Sequence, residues 1–255
     1  MKKLLMLCCS LCLVILSGCQ TQNKQDVNLL IAAAASLENC YEDELIPLFE
    51  EKYPYIQIEG TYDSSGKLQT QIEEGLHADI FMSAATKQMN ALNEEGYIAK
   101  DSIINLLENE LVLITNKNSQ TNVKDFYNIQ DASVIAIGDP DSVPAGQYAK
   151  EALESIGNYE SVLKKSSLGT NVTEVLSWVE AQSAEVGIVY ASDAASSQNV
   201  KILASLPEGI LKTSVIYPVG ILENSQHQEE AKLFVKFLQG QEAKEIFEKY
   251  GFKVK

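Results

Sequence analysis

The feature that most constrains the fold is a rhythm: apolar runs of strand length alternate with helix-patterned stretches, twice over, with no proline- or glycine-rich linker between the two cycles. Val27 to Ala33 is apolar at every position but Asn28 and reads as a buried strand. A helix should follow, with Ser36 as N-cap, Glu38 in its first turn, Leu45, Leu48 and Phe49 on one face, and Pro54 as its stop. Tyr55 to Thr61 alternates as a strand, Ser64-Ser65-Gly66 turns, Leu68 to Glu74 resumes a helix before Gly75, and Asp79 to Ser83 is the next strand. This order implies parallel pairing through right-handed crossovers, hence an α/β sheet with helices on both faces.

The second cycle places strands at Leu111 to Thr115, Val134 to Ile137, Val186 to Tyr190 and Val200 to Leu203, with helices over Ala145 to Ile156 and Val172 to Ala181. A long strand, Ser214 to Leu222, and two amphipathic helices, Gln226 to Leu238 and Gln241 to Tyr250, close the chain and should return to the first lobe. The expected division is 27–107 plus 217–255 for lobe I and 108–216 for lobe II, joined by strand crossovers rather than a tether.

Ahead of this body, Lys2 and Lys3 precede an apolar run ending in Leu16-Ser17-Gly18-Cys19, which reads as a signal peptide over 1–18. The Leu-Ser-Gly-Cys ending resembles a bacterial lipobox, which makes Cys19 a lipidation site and 19–26 a polar tether. The apolar run from Leu4 to Leu16 is short for a membrane span of roughly 20 residues. The expected location is the outer face of the cytoplasmic membrane, or the periplasm in a cell with two membranes. With Cys8, Cys9 and Cys12 in the signal and Cys19 modified, Cys40 stands alone and no disulfide framework can form.

The formal net charge of −15 argues against a nucleic-acid partner. The chain also contains no arginine, so the usual bidentate clamp for carboxylate or phosphate is absent. An anion would have to be held by neutral donors or lysine. Four segments offer such donors where a polar or glycine-rich turn opens a helix, because the first turn of a helix leaves backbone N–H groups unpaired and carries partial positive charge. Ser36 and Ser65 offer hydroxyl and amide, Pro144 suits a first helical turn and frees the amides of Ala145 and Gly146, and Asn171 with Glu174 matches a capping box around Val172. Tyr190 ends a strand. Taken singly, each has an ordinary structural reading; their coincidence in both halves of an exported chain points to a ligand.

These segments, AAAASL, DSSGKLQTQIEEG, HADIFMSA, GDPDSVPAGQYAKEAL, GIVYASDAA and the terminal EIFEKYGF, resemble periplasmic molybdate-binding proteins over nearly all the chain beyond the signal. The resemblance implies a two-lobed type II periplasmic-binding-protein fold, each lobe a mixed, mostly parallel sheet flanked by helices, with the ligand in the cleft. It implies the substrate-capturing part of a molybdate ABC importer, a monomer that works with a permease and its ATPase, uses no cofactor and takes molybdate or tungstate. Molybdenum would then be held as an oxyanion, not as a metal cation. Carried over by motif, the ligand-binding residues are Ser36, Ser65, Ala145, Val172 and Tyr190, with Ser64 as the alternative in the second segment and Asn171 or Thr173 in the fourth.

A fully deprotonated oxyanion has acceptors only and suits an all-donor site. Hydrogen phosphate carries a proton that such a site, without a carboxylate, would leave unmatched at a cost of roughly 1–3 kcal/mol. Exclusion of sulfate by size follows only from the resemblance. Two other readings compete with this one: the same fold binding another oxyanion such as sulfate, and a secreted serine hydrolase. The second lacks a G-x-S-x-G elbow, and His77 and His227, the only histidines, read as solvated surface residues rather than a general base; nor do they and Cys40 show metal-ligand spacing. The chain therefore reads as a binding protein, not an enzyme.

Overall fold

The computed structural model describes residues 26–254; the signal segment and Cys19 lie outside the described residues. Among the described residues, no helix is long and apolar enough to cross a membrane.

The chain opens with β1 (Val27–Ala34) and then a helical stretch over 35–52, made of a 3-10 turn (Ala35–Leu37), α1 (Glu38–Cys40), a π turn (Tyr41–Leu45) and α2 (Ile46–Lys52). Pro47 sits where the π turn passes into α2, and since proline has no N–H and crowds the carbonyl four residues back, a widened turn is the accommodation. There follow β2 (Ile56–Asp63), α3 (Ser65–Glu73), β3 (Ile80–Met82), α4 (Thr86–Glu94) and β4 (Ile104–Asn109). The middle of the chain supplies β5 (Leu111–Asn116), β6 (Ile135–Gly138), α5 (Pro144–Ile156), α6 (Tyr159–Leu163), β7 (Ser166–Gly169), α7 (Val172–Glu180), β8 (Val186–Tyr190), α8 (Ala191–Ser196) and β9 (Val200–Ser205). It ends with β10 (Val215–Ile221), α9 (Gln228–Leu238), α10 (Gln241–Lys249) and β11 (Lys253–Val254).

Two mixed sheets result, a six-stranded one in the order β11-β4-β10-β3-β1-β2 and a five-stranded one in the order β7-β6-β8-β5-β9. The α/β architecture is as expected, with one difference: of nine strand pairings among the described residues only four are parallel, β1 with β2 and β3, and β6 with β7 and β8. The cause is the double crossing between sheets. The chain leaves the first sheet along β4 and enters the second as β5, and it returns as β10, so β10 must run against β3 and β4 while β5 runs against β8 and β9. Short strands that local pattern did not mark complete the sheets, β7 and β11 at edges and β4 between β11 and β10.

The final two helices do pack on the first sheet. Phe234 of α9 meets Phe49 edge to face, with ring centroids 4.9 Å apart, and Tyr41 and Phe247 join the same buried cluster. β1 is covered by α3 and α9, which is why it is apolar on both faces. Cys40 lies inside this core with its thiol donating to the Leu37 carbonyl at 3.1 Å, and burial pushes the thiol far above its ordinary pKa, so it is an inert packing residue.

Candidate functional site

In the first sheet, β1 and β2 pair in parallel without a slip from Val27 opposite Ile56 to Ala34 opposite Asp63, so their carboxyl ends finish side by side. β3 joins with Met82 opposite Ala33. In the second sheet, β6 and β7 end together at Gly138 opposite Gly169, and β8 runs parallel beside β6. The segments that leave these carboxyl ends face one another across the gap between the sheets. Open α/β sheets hold ligands at this edge because turns into helices aim their first amides there.

One small chamber lies between the two lobes, lined among others by Ser36, Ser65, Ala84, Ala145, Val172 and Tyr190. The five residues carried over by motif are thus brought together, two from the first lobe and three from the second. The chamber is tight, with about 10 Å³ of room for the centre of a water-sized sphere. Ser65 and Val172 are the first residues of α3 and α7, Ala145 is the second of α5, and Ser36 is the second of the opening 3-10 turn. Their backbone N–H groups therefore have no acceptor within their own helices.

At Ser36 the local detail differs from the sequence expectation. Ser36 is not the N-cap of its helix; Ala34 holds that position, and the Ser36 hydroxyl instead lies 2.9 Å from the Tyr217 hydroxyl. At α3 the cap is Ser64, whose oxygen accepts from Lys67 N–H at 3.5 Å, which leaves Ser65 free of capping. The Ser65 oxygen accepts from Ala84 N–H at 2.9 Å, so its own hydrogen remains to be donated into the chamber. Asn171 does cap α7 through Glu174 N–H at 2.9 Å, and Glu174 returns the bond one residue further out, to Thr170 N–H at 2.7 Å.

Tyr190 is 1 % exposed, and among the described residues its hydroxyl makes no well-formed hydrogen bond, with the Tyr217 hydroxyl as its polar neighbour. Burial, and next the neighbouring Tyr217, push the phenol well above its ordinary pKa, so it stays a donor throughout the working range. Beneath it the Asp193 carboxylate accepts from Tyr190 N–H at 2.9 Å, and burial pushes this acid up to about 7.

The expectation of a site without a carboxylate needs correction, since Asp63 also lines the chamber. Its Oδ1 is occupied: it accepts from Ser64 N–H at 2.7 Å, from Lys67 Nζ at 3.2 Å and from Asn171 Nδ2 across the cleft at 3.5 Å. Lys67 is thereby neutralised rather than offered to an anion. Asp63, Ala84, Asn109 and Tyr217 are contributions that local pattern could not reveal, because each acts through a partner 19 or more residues away.

The lobes also touch beside the chamber. Gly66 N–H donates to Ser142 O at 3.0 Å, and Gln88 Nε2 donates to Gln147 Oε1 at 3.2 Å. A Cβ at position 66 would lie 2.3 Å from Ser142 O, so this approach needs glycine. Gly146 is similarly pressed on β6, where an added Cβ would lie 2.1 Å from Gly138 O.

The model of the bacterial extracellular solute-binding protein family matches residues 29–253, nearly the whole described chain. The chain belongs to this family. Among its relatives in the solute-binding family, YvgL of Bacillus subtilis (strain 168) is 38% identical over 244 residues, covering 94% of this chain and 93% of that one. The molybdate-binding protein ModA of Escherichia coli (strain K12) is 37% identical over 235 residues, 89% of each chain. The solved periplasmic molybdate-binding protein of Azotobacter vinelandii superposes with a TM-score of 0.78 at 19% identity, covering 88% of this chain and 98% of that one, a likeness of fold.

The histidines sit elsewhere. His77, exposed, and His227, half-buried, border a groove near the amino end of β1 together with Asp79. The Asp79 carboxylate is taken up by Leu30 N–H and the Ser225 hydroxyl, at 2.8 and 2.6 Å. Among the described residues no group of three His, Cys, Asp or Glu is placed to hold a metal ion.

Proposed function

We propose that this solute-binding protein captures molybdate, and tungstate as its near-isostere, between its lobes and delivers it to an ABC importer, held at the membrane by lipid on Cys19. The observation that carries this reading is the convergence of Ser36, Ser65, Ala145, Val172 and Tyr190 on one chamber, with the Tyr190 hydroxyl buried and without a well-formed hydrogen bond among the described residues. Every group aimed there from these five is a donor, two serine hydroxyls, a phenol and first-turn amides, which matches a tetrahedral dianion that only accepts. Hydrogen bonds to a charged partner contribute about 1.5–3 kcal/mol each, so five or more offset dehydration and support a micromolar or tighter site. The ModA relative supports the choice of ion.

Asp63 bears on selectivity. Its Oδ1 is tied to three donors, so the five converging groups set the preference, and since they donate, hydrogen phosphate should bind more weakly than a fully deprotonated dianion. Titration calorimetry of the chain beginning after Cys19, with molybdate, tungstate, sulfate and phosphate in matched buffer, tests the reading. One-to-one binding of the first two and neither of the others is expected. Sulfate bound as strongly would make this a general oxyanion receptor, and no binding at all would remove the proposal.

A further inference from the structure

Behind Ser36 runs a chain of hydrogen bonds that starts from a donor of fixed orientation, Asn109. Asn109 is the last residue of β4, at the point where the chain crosses between the sheets. Its Oδ1 accepts from Glu110 N–H at 2.9 Å, and a backbone N–H can only donate, so the amide orientation is settled. Nδ2 then donates to the Ser192 hydroxyl at 2.8 Å, in the second lobe, and to the Tyr217 hydroxyl oxygen at 3.4 Å, in the first. With that oxygen accepting from Asn109, the Tyr217 hydrogen can be given to the Ser36 oxygen at 2.9 Å, one of the two directions open to this pair of hydroxyls. Ser36 has its own hydrogen left, and the chamber is where it can be given.

Tyr217 is aimed for this. It is fully buried, wedged edge to face between Tyr190 and Phe252 at 5.7 and 5.4 Å, and the β4–β10 register slips between Tyr217 and Pro218. Bulges of this kind re-aim a side chain beside a site.

We infer that Asn109 and Tyr217 are positioning residues that lock Ser36 as a hydrogen-bond donor toward the bound oxyanion, and that this lock helps exclude anions carrying a proton. The inference rests on the chamber being the oxyanion site. Without the Tyr217 hydroxyl, Ser36 could turn its lone pairs inward and accept the hydrogen of a protonated oxyanion.

The test is a double-mutant cycle on the full chain in detergent micelles, using Tyr217→Phe, Ser36→Ala and the double variant, read by calorimetric titration with molybdate, sulfate and phosphate. Tyr217→Phe should weaken molybdate about tenfold, since one hydrogen bond's worth of free energy is about that factor. The loss should not add to that of Ser36→Ala, and the molybdate-to-phosphate ratio should narrow only while Ser36 is present. Asn109→Asp, which keeps the acceptor for Glu110 but removes the donor to Tyr217, should reproduce part of the loss. Thermal melting of each variant separates misfolding from lost orientation. Additive losses, or an unchanged ratio in a folded Tyr217→Phe variant, would overturn the lock while leaving the molybdate reading in place; wild-type protein that binds none of the three would overturn both.

Discussion

Tyr190 shows how a single atom can separate folding from function. Its hydroxyl is buried with no well-formed hydrogen bond among the described residues, a state that costs free energy until something accepts its hydrogen. Tyr190→Phe should therefore leave the melting temperature of the ligand-free protein unchanged or slightly raised, while weakening molybdate roughly tenfold or more in calorimetric titration. A variant that melts lower with affinity intact would make Tyr190 a packing residue. Asp193, directly below, carries a different signature. Its carboxyl is held up to about 7 by burial, whereas in the unfolded chain it ionises near 3.8. The folded state thus keeps a proton that the unfolded chain gives up, so the stability this group contributes is fully present below about pH 4 and is lost as pH rises through 7. The loss amounts to roughly 4 kcal/mol at most. Asp193→Asn retains an acceptor for Tyr190 N–H and should flatten that part of the stability profile in denaturant titrations between pH 4 and 8. At this scale the sequence showed which hydroxyls stand at helix starts; it did not show which of two adjacent serines is the cap, because that depends on where the β2 strand ends against β1.

At the scale of elements, the site is a product of strand register. Four parallel pairings bring the carboxyl ends of β1, β2, β3, β6, β7 and β8 to one edge, and the turns into α3, α5 and α7 inherit their positions from those ends. The turn at Gly66 also makes the contact between lobes. Gly66→Ala would set a methyl group 2.3 Å from Ser142 O, a clash relieved by parting the lobes rather than by unfolding either one. The expected outcome is weaker ligand binding, about three- to tenfold if one hydrogen bond is lost, with thermal stability of the ligand-free chain preserved. Matching loss of melting temperature would mean the lobes do not move independently. Long, strongly patterned elements such as β1, α5 and α9 were legible from periodicity. The short β4, β7 and β11 were not, because a strand of two to six residues is specified by its neighbours more than by its own composition.

For the molecule as a whole, charge opposes its proposed ligand. The formal net charge is −15, and Lys67, the cation nearest the chamber mouth in sequence, is paired with Asp63. A dianion approaching this surface is repelled, so association should speed up as salt screens the field. Stopped-flow measurement of Tyr or Trp fluorescence with molybdate between about 10 and 150 mM salt should show a rising association rate; a falling rate would reveal a local positive funnel. The double crossing of the chain between sheets has a second consequence. The two connections lie side by side, Asn109 opposite Val215 and Val112 opposite Ser205, a narrow waist about which the lobes can swing.

The sequence by itself determined the alternation of strands and helices, the donors waiting at helix starts, the absence of arginine and so the kind of anion site that was possible, because these follow from local periodicity and residue chemistry. Only the tertiary structure decided that β10 returns antiparallel, that Asp63 stands at the chamber wall bound to Lys67 and Asn171, and that Asn109 and Tyr217 stand behind Ser36. Such contacts join residues up to 181 positions apart, and no local pattern encodes which distant side chain a fold will place within 3 Å of another.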